Sequence, residues 1–357
     1  MPPLLRFLLR RALAMPLSLV ATTAAIYAIA MLAPAEQRAA LYLPSNLSPH
    51  LSEEQIQHLT DMAIEVNGLD DPFPIQYGRW AVRLFRGEWG WSPILRQDVL
   101  EALLTRVPVT AELALFTTLV FLPLGLVSGA LAGANRGRPL DAIFRLAAFT
   151  STAFPPFILA LLLLATFYVA WPLFPPGRLG LHNDLFVRSG SFHMLTGFLT
   201  IDSLLNGRPD ITLDALRHLV LPVTTIGLLH WATLGRITRA ALVETLQETY
   251  TTASLARGLP RRRVIWRHAL RLAAVPGLTS SALSAASLVT GVFVAEIIFG
   301  LHGISELAVA ALSTIPDAPL AVGFSVCSVL LVLPLMLGLD LAKAALDPRI
   351  REGILSA

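Results

Sequence analysis

Six stretches of this 357-residue chain run for 18 residues or more without a single Asp, Glu, Lys or Arg: 12–35, 113–135, 146–177, 218–235, 272–295 and 318–339. Their lengths are 24, 23, 32, 18, 24 and 22 residues. An α-helix needs about 20 apolar residues to cross ~30 Å of hydrocarbon. In lipid the backbone can satisfy its own donors and acceptors only inside a helix or a closed barrel, so runs this long predict six spanning helices. The fourth run is the shortest and carries His218 and His230, while the third leaves room for an interfacial end near Pro172, Pro175 and Pro176. The first follows Arg6, Arg10 and Arg11 and ends at Ala33-Pro34-Ala35, which resembles a processing site. Its apolar region exceeds the roughly 7–15 residues usual in a signal peptide, so we read it as a retained anchor.

Composition excludes several classes. Charged residues make up 14% of the chain, against roughly a quarter in soluble domains, which argues against a soluble enzyme. Lys343 is the one lysine, and it stands in Leu341-Ala342-Lys343-Ala344 rather than after a glycine and before Ser or Thr, so the chain holds no P-loop. Cys327 is the one cysteine, which removes internal disulfides and CxxC sites. The eight histidines include no HxxxH pair and no HExxH, so an intramembrane zinc protease lacks its ligands. Gly323-Phe324-Ser325 alone does not define a nucleophile, and Ser325 is expected to bond a helix carbonyl.

Arginine placement orients the chain through the positive-inside bias. With the N-terminus in the cytoplasm, the inner segments hold 17 basic and 6 acidic residues, and the outer ones 10 basic and 18 acidic. Both termini are then cytoplasmic. Residues 36–112 form an external segment in which Ser52-Glu53-Glu54-Gln55 opens a helical pattern, with Ile56, Leu59, Ala63 and Val66 repeating toward Gly68. Trp89 and Trp91 suit a membrane interface. A second outer loop, 178–217, is rich in Gly, Asn, Asp and Ser. Outer loops of this length point either to a partner that docks externally or to packing over the helix ends.

The inner connection 236–271 is the most informative stretch. Leu242, Leu246, Tyr250 and Ala253 lie at i, i+4, i+8 and i+11, one apolar stripe on an otherwise polar helix. Gly258 offers a left-handed stop and Pro260 prevents continuation. Beyond it Arg263, Arg267 and Arg271 line one face, with Val264, Ile265, Ala269 and Leu272 across from them. The chain therefore leaves the membrane, turns at Gly258 and returns along a basic amphipathic helix at the cytoplasmic interface. Contact of these arginines with anionic membrane lipid is the plainer reading of the same pattern.

Tyr250-Thr251-Thr252-Ala253-Ser254-Leu255-Ala256-Arg257-Gly258-Leu259, followed by Arg262-Arg263-Val264-Ile265-Trp266-Arg267-His268-Ala269-Leu270-Arg271 and Pro276, resembles the EAA loop of permease subunits in binding-protein-dependent ABC importers of the dipeptide/oligopeptide/nickel class. Thr252-Ala253-Ser254 stands where the general family has Glu-Ala-Ala. The resemblance continues along the chain. Leu4-Leu5-Arg6-Phe7-Leu8-Leu9-Arg10-Arg11 and Leu32-Ala33-Pro34 are similar to the family's start, with Ala35-Glu36 in place of its usual Gly-Asp. Arg106-Val107-Pro108-Val109-Thr110-Ala111-Glu112-Leu113 resembles the lead into its second helix, and Leu219-Val220-Leu221-Pro222 with Arg236-Ile237-Thr238-Arg239 the entry and exit of its fourth. Val294-Ala295-Glu296-Ile297-Ile298-Phe299-Gly300 and Leu346-Asp347-Pro348-Arg349-Ile350-Arg351 complete it.

This resemblance implies an all-α polytopic membrane protein with the type I ABC importer permease fold. Residues 1–108 would be an N-terminal helix plus external segment, 109–346 a transmembrane domain of five helices with its coupling loop at 240–272, and 347–357 a cytoplasmic tail. It implies half of a translocation pore coupled to a separate ATPase, with peptides as the expected cargo, while relatives also carry nickel, sugars and other solutes. Implied partners are a second homologous permease, two cytoplasmic ATPases that hold ATP and Mg, and an extracytoplasmic solute-binding protein. No nucleic acid and no cofactor of the chain's own are implied. Tyr250, Ala253, Ala256, Arg257, Gly258, Leu259, Arg263 and His268 would form the surface that meets the ATPase. Glu296, near an end of the fifth run, either lines the substrate path and holds a cationic group or is an interfacial acid bonded to backbone amides. Prolines 123, 155, 156, 222 and 334 keep an alternative in view, an ion-coupled secondary transporter with broken helices.

Overall fold

The computed structural model describes residues 3–39, 42–43, 52–92, 94–190, 192–311 and 317–346. The tail expected at 347–357, with the terminal Asp347-Pro348-Arg349 match, lies outside the described residues. In chain order the elements are α1 (Pro3–Ala30), α2 (Ala35–Ala39), α3 (Glu53–Asn67), α4 (Phe73–Phe85), a two-residue hairpin of β1 (Trp91–Ser92) and β2 (Gln97–Asp98), and α5 (Val99–Ala134). Next come α6 (Pro139–Ala153), α7 (Pro156–Leu164) with a π turn at Ala165–Ala170, α8 (Leu181–Arg188), α9 (Leu199–Leu205) and α10 (Pro209–Thr245). The last are α11 (Thr249–Ala256), α12 (Arg261–Arg263), a π turn at Val264–Ala269, α13 (Leu270–Leu283), α14 (Ala285–Phe299), α15 (Ile304–Ala311) and α16 (Ala318–Leu346).

Each charge-free run falls on an apolar helix or a bent pair of helices. Val99–Ala134, Pro209–Thr245 and Pro319–Ala345 are each long and apolar enough to cross a bilayer, and Pro16–Ile29 is a shorter apolar stretch within α1. The third and fifth runs, expected as single helices, are broken. Helices α6 and α7 meet at 102°, and the helical stretch Arg261–Leu283 meets α14 at 58°. The first break has a local cause. Phe154 precedes Pro155, which clashes with a helical predecessor, and Phe154 is extended at φ −95°, ψ 132°. Pro156 then opens α7, where its missing N–H costs nothing. By contrast Pro123, Pro222 and Pro334 sit inside continuous helices.

The described residues cluster into two compact units, one of residues 3–13, 107–305 and 331–346, the other built on Ala14–Arg106 with Glu306–Leu330. In the first, α10 is the central strut and packs on α6, α7, α9, α13 and α14. Val109, Leu113 and Phe121 of α5 interlock with Leu221, Ile226 and Leu234 of α10 and with Leu288, Val292 and Phe299 of α14. Because lipid tails are as apolar as leucine, such helices associate through close packing rather than through a hydrophobic drive, which places a premium on small residues. Gly125, Gly129 and Gly133, at i, i+4 and i+8, provide this on α5. A Cβ on Gly125 would come within 2.8 Å of Leu234, one on Gly129 would overlap the Gly235 carbonyl, and one on Gly133 would come within 2.9 Å of the Arg239 carbonyl.

In the second unit, α3 has the termini its sequence prescribes. Ser52 and Gln55 form a reciprocal capping box, and Gly68 closes the helix at φ +57°. Helix α4 lies against α1 through rings: Tyr27 stands 5.2 Å from Trp80, 5.9 Å from Tyr77 and 6.2 Å from Phe73. At the start of α16, Asp317 accepts from the Leu320 amide at 3.1 Å and from the Ser92 hydroxyl at 2.6 Å. Ser325 donates to the Ala321 carbonyl at 2.8 Å, the helix-internal bond expected of it.

Candidate coupling site

The connection after α10 is an elbow of two limbs. The sequence pattern predicts one helix from Leu242 to Gly258; the chain instead breaks between Thr245 and Thr249, with Glu248 extended at φ −64°, ψ 146°. The Thr251 hydroxyl donates to the Thr245 carbonyl at 2.8 Å and so holds the break closed. This break divides the expected stripe. Leu242 is buried, Leu246 is half-buried, and Tyr250 (44% exposed) and Ala253 face outward on α11.

Gly258 stops α11 as the sequence requires. At φ +81° it lies in the left-handed region, with its amide on the Leu255 carbonyl at 2.9 Å and the Leu259 amide on Ser254 at 3.3 Å. A Cβ there would meet nothing within 4 Å. The demand for glycine therefore comes from the backbone, where an L-residue costs about 1–2 kcal/mol, and the space beside it is open. Of the eight residues expected at this surface, Tyr250, Ala253, Ala256, Arg257, Gly258, Arg263 and His268 are exposed and Leu259 is half-buried.

The return limb is amphipathic as read. Val264, Ile265 and Ala269 are buried, while Arg263, Arg267 and Arg271 are exposed. Its π turn at Val264–Ala269 left no sign in the hydrophobic pattern. Ile265 and Ala269 join Leu242, Ala130 and Ala273 in one cluster, so the ends of α5 and α10 and the start of α13 share a core with the elbow. The Arg261 guanidinium donates to the Ala134 carbonyl at the end of α5 at 2.9 Å. Helix α10 is further locked to α6. Asp141 of α6, almost fully buried, accepts a bidentate pair from Arg239 of α10, one arm at 2.9 Å, and a third bond from the Gly137 amide at 3.0 Å. The two partners lie 98 residues apart, and nothing in either local pattern announces the pair. Gly125, Gly129 and Gly133 at i, i+4 and i+8 are the sequence signal that marks the close approach of α5 to α10.

Glu296 occupies a different place, at the C-terminal end of α14. It is 1% exposed, and its carboxylate accepts from the Ser305 amide at 3.0 Å. Gly300 caps α14 at φ +64°, the Leu301 amide returns to the Glu296 carbonyl at 3.0 Å, and Gly303 lies flush against the carboxylate. Nearby, the Ile304 amide donates to the Thr110 hydroxyl at 3.0 Å. Glu112, in the motif leading into the second run, accepts from the Thr200 amide and hydroxyl at 2.8 and 2.6 Å and from Arg178 at 3.0 Å.

A bundle of apolar helices that carries an exposed elbow fastened to its helices is an arrangement suited to a membrane transport subunit. Residues 122–352 match the binding-protein-dependent transport system inner membrane component family. The chain is 31% identical over 350 residues to a di/tripeptide transport system permease protein of Pseudomonas aeruginosa, covering 98% of this chain and 99% of that one. It is 33% identical over 286 residues to a probable D,D-dipeptide transport system permease protein of Escherichia coli (80% and 82%), and 33% over 285 residues to an oligopeptide transport system permease protein of Mycobacterium bovis (80% and 82%). The chain belongs to this family: it is a multi-pass inner-membrane permease subunit of an ABC transporter and not an enzyme. Membership supports the ATP-driven reading over the ion-coupled alternative.

Proposed function

We propose that this permease forms half of the translocation pore of a peptide importer, crosses the membrane six times with both termini cytoplasmic, and pairs with a second homologous permease. Two cytoplasmic ATPases, holding ATP and Mg, meet the elbow, and a solute-binding protein delivers cargo from outside. The peptide cargo rests on the relatives named above. One observation supports the coupling role: the exposed surface of Tyr250, Ala253, Ala256, Arg257 and Gly258 is fastened on one limb to the end of α10 through Thr251 and Thr245 and on the other to α5, α10 and α13.

Closure of the ATPases on nucleotide shifts the elbow, and the shift reaches α10 and α5 through the shared core and α6 through Asp141–Arg239. The pore then exchanges between inward-open and outward-open populations. Glu296, tied to the Ser305 amide, fits an acid that holds the turn at 300–305 better than one that grips substrate. In reconstituted vesicles, Gly258→Asp is expected to abolish both ATPase binding and peptide uptake, because it strains the turn and puts a carboxylate into the open space beside it. Wild-type values for both would remove the elbow from the mechanism.

A further inference from the structure

Helix α4 presents two apolar faces. One carries Phe73, Tyr77 and Trp80 against Tyr27 of α1, and the Tyr77 hydroxyl lies 3.0 Å from that of Thr23 and donates to the Val20 carbonyl at 3.2 Å. Val20 is ten residues before the end of α1 at Ala30, so α4 packs alongside the apolar stretch Pro16–Ile29 of α1. The face turned away from α1 holds Ile75, Val82 and Phe85, all exposed, the last at 84%. Exposed apolar side chains on a helix packed against such a stretch suit acyl chains better than water.

The same face carries guanidinium groups. Ile75, Gly78, Arg79, Val82, Arg83 and Arg86 line an open groove of about 420 Å³. Gly78 forms its floor, where a side chain would meet nothing within 4 Å. Arg79 is engaged with Asp71 and the Gly68 carbonyl, while Arg83 and Arg86 make no side-chain hydrogen bond or ion pair among the described residues. No carboxylate lines the groove. Arginines that flank an apolar stripe bury their stems and place their heads at the phosphate level. We propose that α4 is an interfacial helix whose Ile75–Val82–Phe85 stripe enters the acyl region and whose groove over Gly78 takes a phospholipid phosphate between Arg83 and Arg86, with anionic lipid preferred. The inference needs α1 in the membrane but does not depend on the cargo or on the elbow.

The test uses the assembled transporter in lipid nanodiscs containing anionic phosphatidylglycerol, in a Cys327→Ala background, with one nitroxide at Val82→Cys, Phe85→Cys or, as a water-facing reference, Glu54→Cys. Collision with oxygen and with a water-soluble nickel chelate is read by power saturation. Positions 82 and 85 are expected to favour oxygen, with nickel collision several-fold below that at position 54. Adding Arg83→Gln and Arg86→Gln is expected to raise nickel collision at position 85, as is replacing the anionic lipid by phosphatidylcholine. Nickel collision equal to the reference would mean a water-facing surface, open to a binding protein, and exclusion of both reagents would mean a face covered by another subunit. Either overturns the proposal, and an unchanged profile in the double arginine variant removes the phosphate site.

Discussion

At the scale of single residues, the ion pair Asp141–Arg239 and the turn glycine Gly258 illustrate two kinds of constraint. Asp141 is nearly inaccessible whereas Arg239 is partly exposed, so removing one partner has unequal effects. Arg239→Gln leaves a buried carboxylate with the Gly137 amide and a more distant Arg145, and is expected to destabilise the subunit in detergent by about 3 kcal/mol, within the range for breaking a buried pair. Asp141→Asn leaves a guanidinium that water can reach, and is expected to cost less. Denaturation midpoints of the two variants check the order, and a reversed order would deny that burial of Asp141 sets the cost. At Gly258 the constraint is a backbone angle, and such positions are the most legible in a sequence, because glycine followed by proline two residues later is a local signal. The Asp141–Arg239 pair was not legible, because its partners meet only once α6 and α10 have packed.

At the scale of elements, close helix approach rests on glycines whose contacts differ from site to site. Gly129→Ala would drive a Cβ into the Gly235 carbonyl of α10, and is expected to separate α5 from α10 and to cost about 1–3 kcal/mol, as overpacking does. Gly338→Ala in α16 meets nothing within 4 Å and is expected to leave the melting temperature of the subunit unchanged. Equal effects of the two would argue against α5–α10 packing at the glycines. Long apolar runs placed the helices correctly, since the absence of charge over 18 to 32 residues is a property of the run itself. Their shapes were less accessible. The bend between α6 and α7 follows from Pro155 after Phe154, a signal present but outweighed by the apolar length, whereas the break after Thr245 and the π turn at Val264–Ala269 arise where limbs of the elbow pack, and no periodicity encodes them.

At the scale of the whole molecule, the proposed arrangement in the membrane rests on the arginine bias and carries its own test. Because Cys327 is the one cysteine and is buried, single cysteines can be placed with little background. In membrane vesicles of defined sidedness, Arg257→Cys is expected to react with a membrane-impermeant thiol reagent only from the cytoplasmic face, and Glu54→Cys only from the opposite one; labelling with the sides exchanged would invert the topology. The elbow at Arg257 is also fastened on both sides, before it by the Thr251 hydroxyl on the Thr245 carbonyl and after it by Ile265 and Ala269 packed with Leu242 and Ala130 and by Arg261 on Ala134. A handle riveted at two points takes up little slack, so if a motor subunit pulls on it as proposed, the helices behind it should follow, and a loosened rivet should let the motor turn over without advancing any cargo.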